Sequence, residues 1–399
     1  MMRVTENVPK QALILTALYY LSFVLLGLAN SSIGPTLPYL AENTGVTLQA
    51  ISILFVARSA GYLMGALLGS RLYDRFQGHG VFARMLVGIS VGLGLIPLTS
   101  TLALLVVLML FLGAFESTLD VGANTLLVWV HREKVPPFMN GLHFAFGVGA
   151  FLLPIIVAAS IREFGSASWA YWLLALLALP LVAVFASTSS PENAEKQVQA
   201  SENGRASPLV LLIAGFFFLY AGVEISFGNW IYSYATTLEL MSDEGAAYLT
   251  SGYWGAFTLG RLLTIPLAMR LKPSRLLWLC IGGAAISLVP MLLYPQAVPV
   301  LWAGSMGLGL SIAAVFPAMI SFAERRVNIQ GRVMGFFFIG VSLGAMSIPW
   351  LIGQVFERVH PYSMLVVVSI SLTLSAVVLA LVLRRSGQQR QVISDAAND

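Results

Sequence analysis

Long apolar runs separated by short polar breaks fill most of the chain. They lie near residues 12–40, 48–72, 81–100, 102–130, 139–162 and 167–188, and again near 208–238, 245–270, 274–294, 298–323, 331–356 and 362–384. A run of about 20 apolar residues is long enough to cross the hydrocarbon core as a helix. Lipid offers no hydrogen bonds to a backbone, so each span must satisfy its own polar groups, as a helix does. The pattern predicts an all-α integral membrane protein with twelve transmembrane helices. The longest interior polar stretch, Ser187 to Ser207, is rich in Ser, Glu, Asn and Gln and carries no apolar run. Such a stretch cannot build a core and reads as a linker. The expected organisation is a six-helix bundle over 1–188, a cytoplasmic linker over 189–207, a second six-helix bundle over 208–386 and a cytoplasmic tail over 387–399.

Composition sharpens this. Charged residues are 10% of the chain and apolar ones 58%, against roughly 25% charged in a soluble domain. The net charge of +4 matters less than its placement. With the N-terminus in the cytoplasm, 18 of the 22 lysines and arginines fall on that side. That bias orients the protein with both termini inside, and the basic residues report orientation rather than nucleic-acid binding. A plasma membrane, the inner membrane in a bacterium, is the expected location. The first apolar run lacks a small-residue cleavage pattern and reads as a retained helix. Cys280, the single cysteine, lies in an apolar run, excludes an intrachain disulfide and reads as a small packing residue.

The two halves repeat weakly. The second span reads GYLMGALLGSRL from Gly61 and the eighth reads GYWGAFTLGRLL from Gly252, both being the second helix of their half. Related helix bundles with a pathway between them are a common transporter design. Gly and Pro recur inside the first, tenth and eleventh spans, where they allow close approach or bending.

Few charges lie within the spans, and each is costly there. They are Arg58, Glu116, Asp120, His143, Glu224 and Arg261. In GAFESTLDVGANTLLVW the residues Glu116, Asp120 and Asn124 are spaced four apart and form one polar stripe on an apolar helix. The stripe must face a cavity or a partner helix. Burial disfavours a charged carboxylate unless a cation such as Arg58 opposes it, which suits a protonatable coupling group and equally a structural ion pair. Glu224 sits amid apolar residues ahead of Gly228, Asn229 and Trp230, and Trp254 follows in the next span, so a polar site walled by aromatics is expected. His143 suits a proton carrier, a substrate partner or a satisfied structural histidine. The four histidines are scattered, so no metal cluster is expected. No phosphate-binding glycine loop or nucleophile elbow is present, so neither ATP hydrolysis nor another enzyme activity is expected, and no cofactor.

Several motifs resemble those of the major facilitator superfamily. Leu72, Tyr73, Asp74 and Arg75 resemble its loop motif Gly-x-Leu-Ala-Asp-Arg-x-Gly, with Ser70 in the usual Gly place and an extra residue before Gly78. The resemblance implies that Asp74 and Arg75 gate the cytoplasmic ends of the bundles. Within the superfamily the chain resembles the fucose–galactose–glucose:proton symporter branch and sodium-dependent glucose transporter-like relatives. The matching residues are Gly27, Ala29 and Asn30; Leu119, Asp120, Ala123 and Asn124; Tyr220, Gly222, Glu224 and Gly228; Trp254, Gly255, Gly260 and Arg261; Phe316 and Pro317; and Gly344, Ala345, Pro349 and Gly353. Two positions depart from the pattern: Gly34 stands where the family has an acid in the first span, and Arg58 is additional.

These readings imply a secondary transporter working by alternating access, with a small polar solute, most often a monosaccharide in this branch, and a proton or sodium ion as partners. Asp120 is expected to exchange the proton, with Arg58 as the counter-charge that sets its pKa and Glu116 and Glu224 as further coupling candidates. Asn30, Asn124, His143, Glu224, Asn229, Trp230, Trp254 and Arg261 are the substrate-binding candidates. Proton-coupled efflux of a drug or metabolite fits the same fold, and a non-transporting receptor is the reading from another class. The superfamily's proteins work as single chains, so a monomer is expected.

Overall fold

The computed structural model describes residues 9–191, 207–327 and 331–395. Every regular element among the described residues is helical. The first span is two helices, α1 (Lys10–Asn30) and α2 (Ile33–Thr44), interrupted at Ser31 and Ser32. The second is also composite: a short α3 (Leu48–Ile51) precedes α4 (Ile53–Arg75). Then come α5 (Gly78–Leu95), α6 (Leu102–His131), α7 (Val135–Phe164) and α8 (Ser168–Ser187). The second half begins with α9 (Pro208–Thr237) and α10 (Asp243–Arg270), followed by α11 (Pro273–Leu293). Its tenth span is broken into α12 (Val298–Ile312) and α13 (Val315–Glu324), and α14 (Gly331–Phe356) and α15 (Ser363–Asp395) close the chain.

Grouped by span, these helices form the expected twelve. Ten described stretches are long and apolar enough to cross a membrane, one of them, Leu102–Phe164, covering two spans. The stretch that falls short is α10, whose Gly, Ser, Thr, Tyr and Arg content dilutes its apolar residues. The linker residues 192–206 and the last four residues lie outside the described residues. The helix α15 continues to Asp395, beyond the expected end of the last span near 384.

Local chemistry sets the ends. Ser207 accepts a hydrogen bond from the Val210 N–H and Ser242 from the Gly245 N–H, capping α9 and α10. Pro208 and Pro273 occupy first-turn positions, where a missing N–H costs nothing. Gly45 and Gly165 end α2 and α7 at φ values of 65° and 69°, the left-handed region glycine enters without strain.

The described residues form two compact units. One holds the chain through Thr47 and from Ala57 onward to 191; the other holds Leu48–Val56 and everything from 207. In the first, glycines bring helices into backbone contact: a Cβ on Gly27 would lie 2.0 Å from the Phe146 carbonyl oxygen, across α1 and α7, and one on Gly61 would lie 1.8 Å from that of Leu110, across α4 and α6. In the second, a Cβ on Gly344 would lie 1.9 Å from the Phe218 carbonyl oxygen, across α9 and α14, and one on Gly309 would lie 2.4 Å from that of Tyr253, across α10 and α12. Small residues let helices pack closely in lipid, where van der Waals contact replaces the hydrophobic effect between helices. The α3 segment is anchored inside the second unit. The Leu48 and Gln49 N–H groups donate to the two oxygens of the Glu357 carboxylate at 2.9 and 3.0 Å, and the Gln49 side chain bonds Gln354 and Arg358 at 2.9 Å each.

Candidate functional site

In the first unit the polar stripe of α6 divides into two clusters one helical turn apart. Glu116 is fully buried and holds Arg58 of α4 through two parallel bonds, Nε to Oε2 at 3.0 Å and Nη2 to Oε1 at 2.5 Å. The same guanidinium donates to the carbonyl oxygens of Ala29 at 2.7 Å and Asn30 at 3.0 Å, where α1 stops. Close packing fixes this geometry, since a Cβ on Gly113 would lie 2.1 Å from the Arg58 carbonyl. Arg58 is therefore the counter-charge of Glu116, a correction to its expected place opposite Asp120.

One turn on, Asp120 has neutral partners. Tyr62 of α4 donates its hydroxyl to Asp120 Oδ2, and Asn124 Nδ2 donates to Oδ1 at 2.8 Å and to the Asp120 carbonyl at 2.9 Å. Among the described residues no cation lies within ion-pair distance of Asp120. Tyr62 is the residue that motif reading passed over. Its signal was the internal repeat, because Gly61–Tyr62 and Gly252–Tyr253 occupy matching places. Asn30 enters the site through its carbonyl. His143 is exposed and sets its ring edge-on to Phe23 with centroids 6.0 Å apart, away from the Asp120 cluster's bonds.

In the second unit Glu224 is half-buried on α9. The Arg261 guanidinium acts on its carboxylate and lies 4.6 Å above the Phe257 ring. The buried Tyr220 hydroxyl acts on Glu224 from close range, although its geometry falls short of a hydrogen bond. Tyr253 of α10 donates to the Glu224 carbonyl at 2.8 Å. Trp254 stands edge-on to Tyr253 and Phe257 and seats over Gly228, where a Cβ would lie 2.5 Å from the indole ring. Glu224, Arg261, Tyr220, Tyr253 and Trp254 thus share one neighbourhood. Asn229 turns its amide to the Ile225 carbonyl at 2.8 Å. Trp230 is wholly buried: its ring packs on Phe55 and Phe356, and its N–H donates to the Pro349 carbonyl at 3.0 Å. With the ring wholly buried and its donor engaged, Trp230 packs the unit in this structure rather than lining an open site. Asp74 and Arg75 are exposed at the last turn of α4.

Helices of this number, packed glycine to backbone within each of two units and carrying a few charges within their spans, define a polytopic membrane protein. The chain belongs to the Major Facilitator Superfamily, whose family model matches residues 19–349. That membership makes it a transporter and not an enzyme. It is 32% identical over 372 residues to the mouse (Mus musculus) sodium-dependent glucose transporter 1A, covering 84% of this chain and 88% of that protein. Its identity to the human (Homo sapiens) sodium-dependent glucose transporter 1 is also 32% over 372 residues, covering 83% of this chain and 71% of that one. Among solved structures, the nucleoside transporter NupG superposes with a TM-score of 0.74 at 16% identity, covering 92% of this chain and 98% of that one. A bacterial homologue of the human lysosomal transporter Spinster superposes with the same TM-score at 12% identity, covering 93% and 96%. The expected superfamily and the likeness to sodium-dependent glucose transporters are both borne out; the solved structures speak for the fold alone.

Proposed function

We propose that this protein moves a monosaccharide across a plasma membrane in symport with a proton, as a single chain with both termini in the cytoplasm. The observation that carries the coupling ion is the set of partners around Asp120. A carboxylate held by a tyrosine hydroxyl and an amide, with no cation paired to it, can exist with or without its proton as its surroundings change. Glu116, clamped by Arg58, lacks that freedom. The sugar reading draws on the glucose transporters named among the relatives. It draws also on the chemistry of the second unit, where the Trp254 indole shares a neighbourhood with the Glu224 carboxylate and the Arg261 guanidinium. Asn30, Asn124, Asn229 and His143 remain candidates for hydroxyl contacts, and Asp74 and Arg75 for gating.

Sodium coupling is the second reading, favoured by the relatives' names. Purified protein in proteoliposomes separates the two. Uptake of a panel of labelled sugars is followed under an inward proton gradient and, separately, under an inward sodium gradient. Accumulation of one sugar driven by protons alone is the expected result. Accumulation driven only by sodium transfers the coupling to the second reading, and failure of every sugar under both gradients ends the sugar reading.

A further inference from the structure

We propose that the Arg58 guanidinium occupies the place of a mobile coupling cation at the break between α1 and α2, so that this chain takes no sodium there and leaves coupling to Asp120. The inference rests on the proton-coupled reading and deepens it by assigning the choice of ion to one residue.

The break itself creates the cation site. A helix that stops leaves carbonyls without intrahelical donors and the negative end of its dipole. At the end of α1 the Ser31 N–H returns to the Gly27 carbonyl and the Ser32 N–H to that of Ala29, which leaves the Asn30 carbonyl outward. The Glu116 carboxylate faces the same point from α6, reached by the same guanidinium. Ser32 lies in the break and is 1% exposed, and its hydroxyl, short of hydrogen-bond geometry, acts on the Tyr171 hydroxyl rather than on Arg58. Backbone carbonyls of an interrupted membrane helix together with a carboxylate are the oxygen set such breaks offer to sodium. Here the set is full. Arg58, 6% exposed, spends its three nitrogens on Ala29, Asn30 and both oxygens of Glu116.

A guanidinium stays charged at every pH a transporter meets and cannot leave the chain. It neutralises the site permanently and therefore carries no gradient. The matching positions of the second unit differ: in the register set by Gly61 and Gly252 the residue in the place of Arg58 is Leu249, and the matching span, α9, runs unbroken. The break and its cation thus occur together, in one unit.

The test needs no substrate, so it is independent of the sugar reading. Melting temperature is measured in detergent for the wild type, Arg58→Ala, Arg58→Gln and Arg58→Ala/Glu116→Gln, while sodium chloride replaces choline chloride at constant ionic strength. The wild type is expected to be indifferent to the exchange. Arg58→Ala is expected to melt lower in choline and to recover saturably with sodium, and with guanidinium chloride in the low-millimolar range. The double variant, lacking the carboxylate charge, should not respond. If Arg58→Ala does not fold, Arg58→Gln, which keeps an N–H donor near the carbonyls, carries the same comparison. A folded single variant that ignores sodium overturns the proposal. So does a saturable sodium response in the wild-type melting temperature that the further single variant Glu116→Gln removes.

Discussion

Gly61 in the first unit and Gly252 in the second hold the same place in the repeat, yet they meet different neighbours. A Cβ on Gly61 would strike the Leu110 carbonyl at 1.8 Å, whereas one on Gly252 would meet the Trp302 ring at 3.1 Å. Further along, the order reverses: a Cβ on Gly260 would lie 2.6 Å from the Leu310 carbonyl oxygen, while one on its counterpart Gly69 would lie 3.3 Å from Thr118 Cα. The tightest crossing of the second helix with the fourth helix of its own unit has moved along the helix. The charges have diverged too. The first unit holds one locked ion pair and one carboxylate with neutral partners; the second holds Glu224 and Arg261 among aromatic rings. One packing scheme, used twice, carries in one copy the acid proposed for coupling and in the other the groups proposed to meet the solute.

The sharpest way to break that division is to exchange the acids for amides. Asp120→Asn should reduce proton-driven accumulation in proteoliposomes to background while sugar exchange persists. Glu224→Gln should keep accumulation and weaken apparent sugar affinity. The reverse pattern would swap the roles of the units.

Stability separates the charge pairs next. Glu116→Ala strands Arg58 in a buried site and should cost about 3–5 kcal/mol, seen as a large fall in melting temperature. Arg261→Ala, which loses a half-buried cation stacked on Phe257, should cost only about 0.5–2 kcal/mol. Equal losses would mean that the second pair is as locked as the first.

The glycines give a smaller effect. Gly61→Ala must push two backbones apart and should cost about 1–3 kcal/mol, whereas Gly252→Ala faces a side chain able to shift and should cost less than about 1 kcal/mol. Thermal melting of the two variants, side by side, measures the difference in crossing point. The tyrosines report on ionisation rather than on packing. Tyr62→Phe removes a bond to a carboxyl group and should cost about 1.5–3 kcal/mol if that group is ionised, falling to about 1 kcal/mol if it is protonated; Tyr253→Phe removes a bond to a carbonyl and should cost about 1 kcal/mol. Measured across pH, a Tyr62→Phe cost that changes while the Tyr253→Phe cost stays level would mark Asp120 as the titrating acid.

Much of this was legible in the residues. Twelve spans follow from hydrophobic run length, because lipid thickness sets one scale for every helix. The polar stripe of Glu116, Asp120 and Asn124 follows from helical spacing. Its division was not legible, since Arg58 lies on another helix and spacing along the chain cannot say which of two acids it will meet. The break in α1 was similarly hidden: Ser31 and Ser32 are ordinary residues in an apolar run, and the interruption shows only in backbone hydrogen bonds. Trp230 looked like a solute-facing aromatic because its neighbours are polar, but α14 brings Pro349 and Phe356 against it.

Span number, helical state and the presence of a few inward charges are thus properties of the sequence alone, since each depends on local composition against a solvent of fixed thickness. Which acid receives the arginine, which keeps neutral partners, and where the paired helices cross were decided only in three dimensions. Those outcomes depend on contacts between residues as far apart in the chain as Arg58 and Glu116, and a glycine's fit against a carbonyl is settled within an ångström.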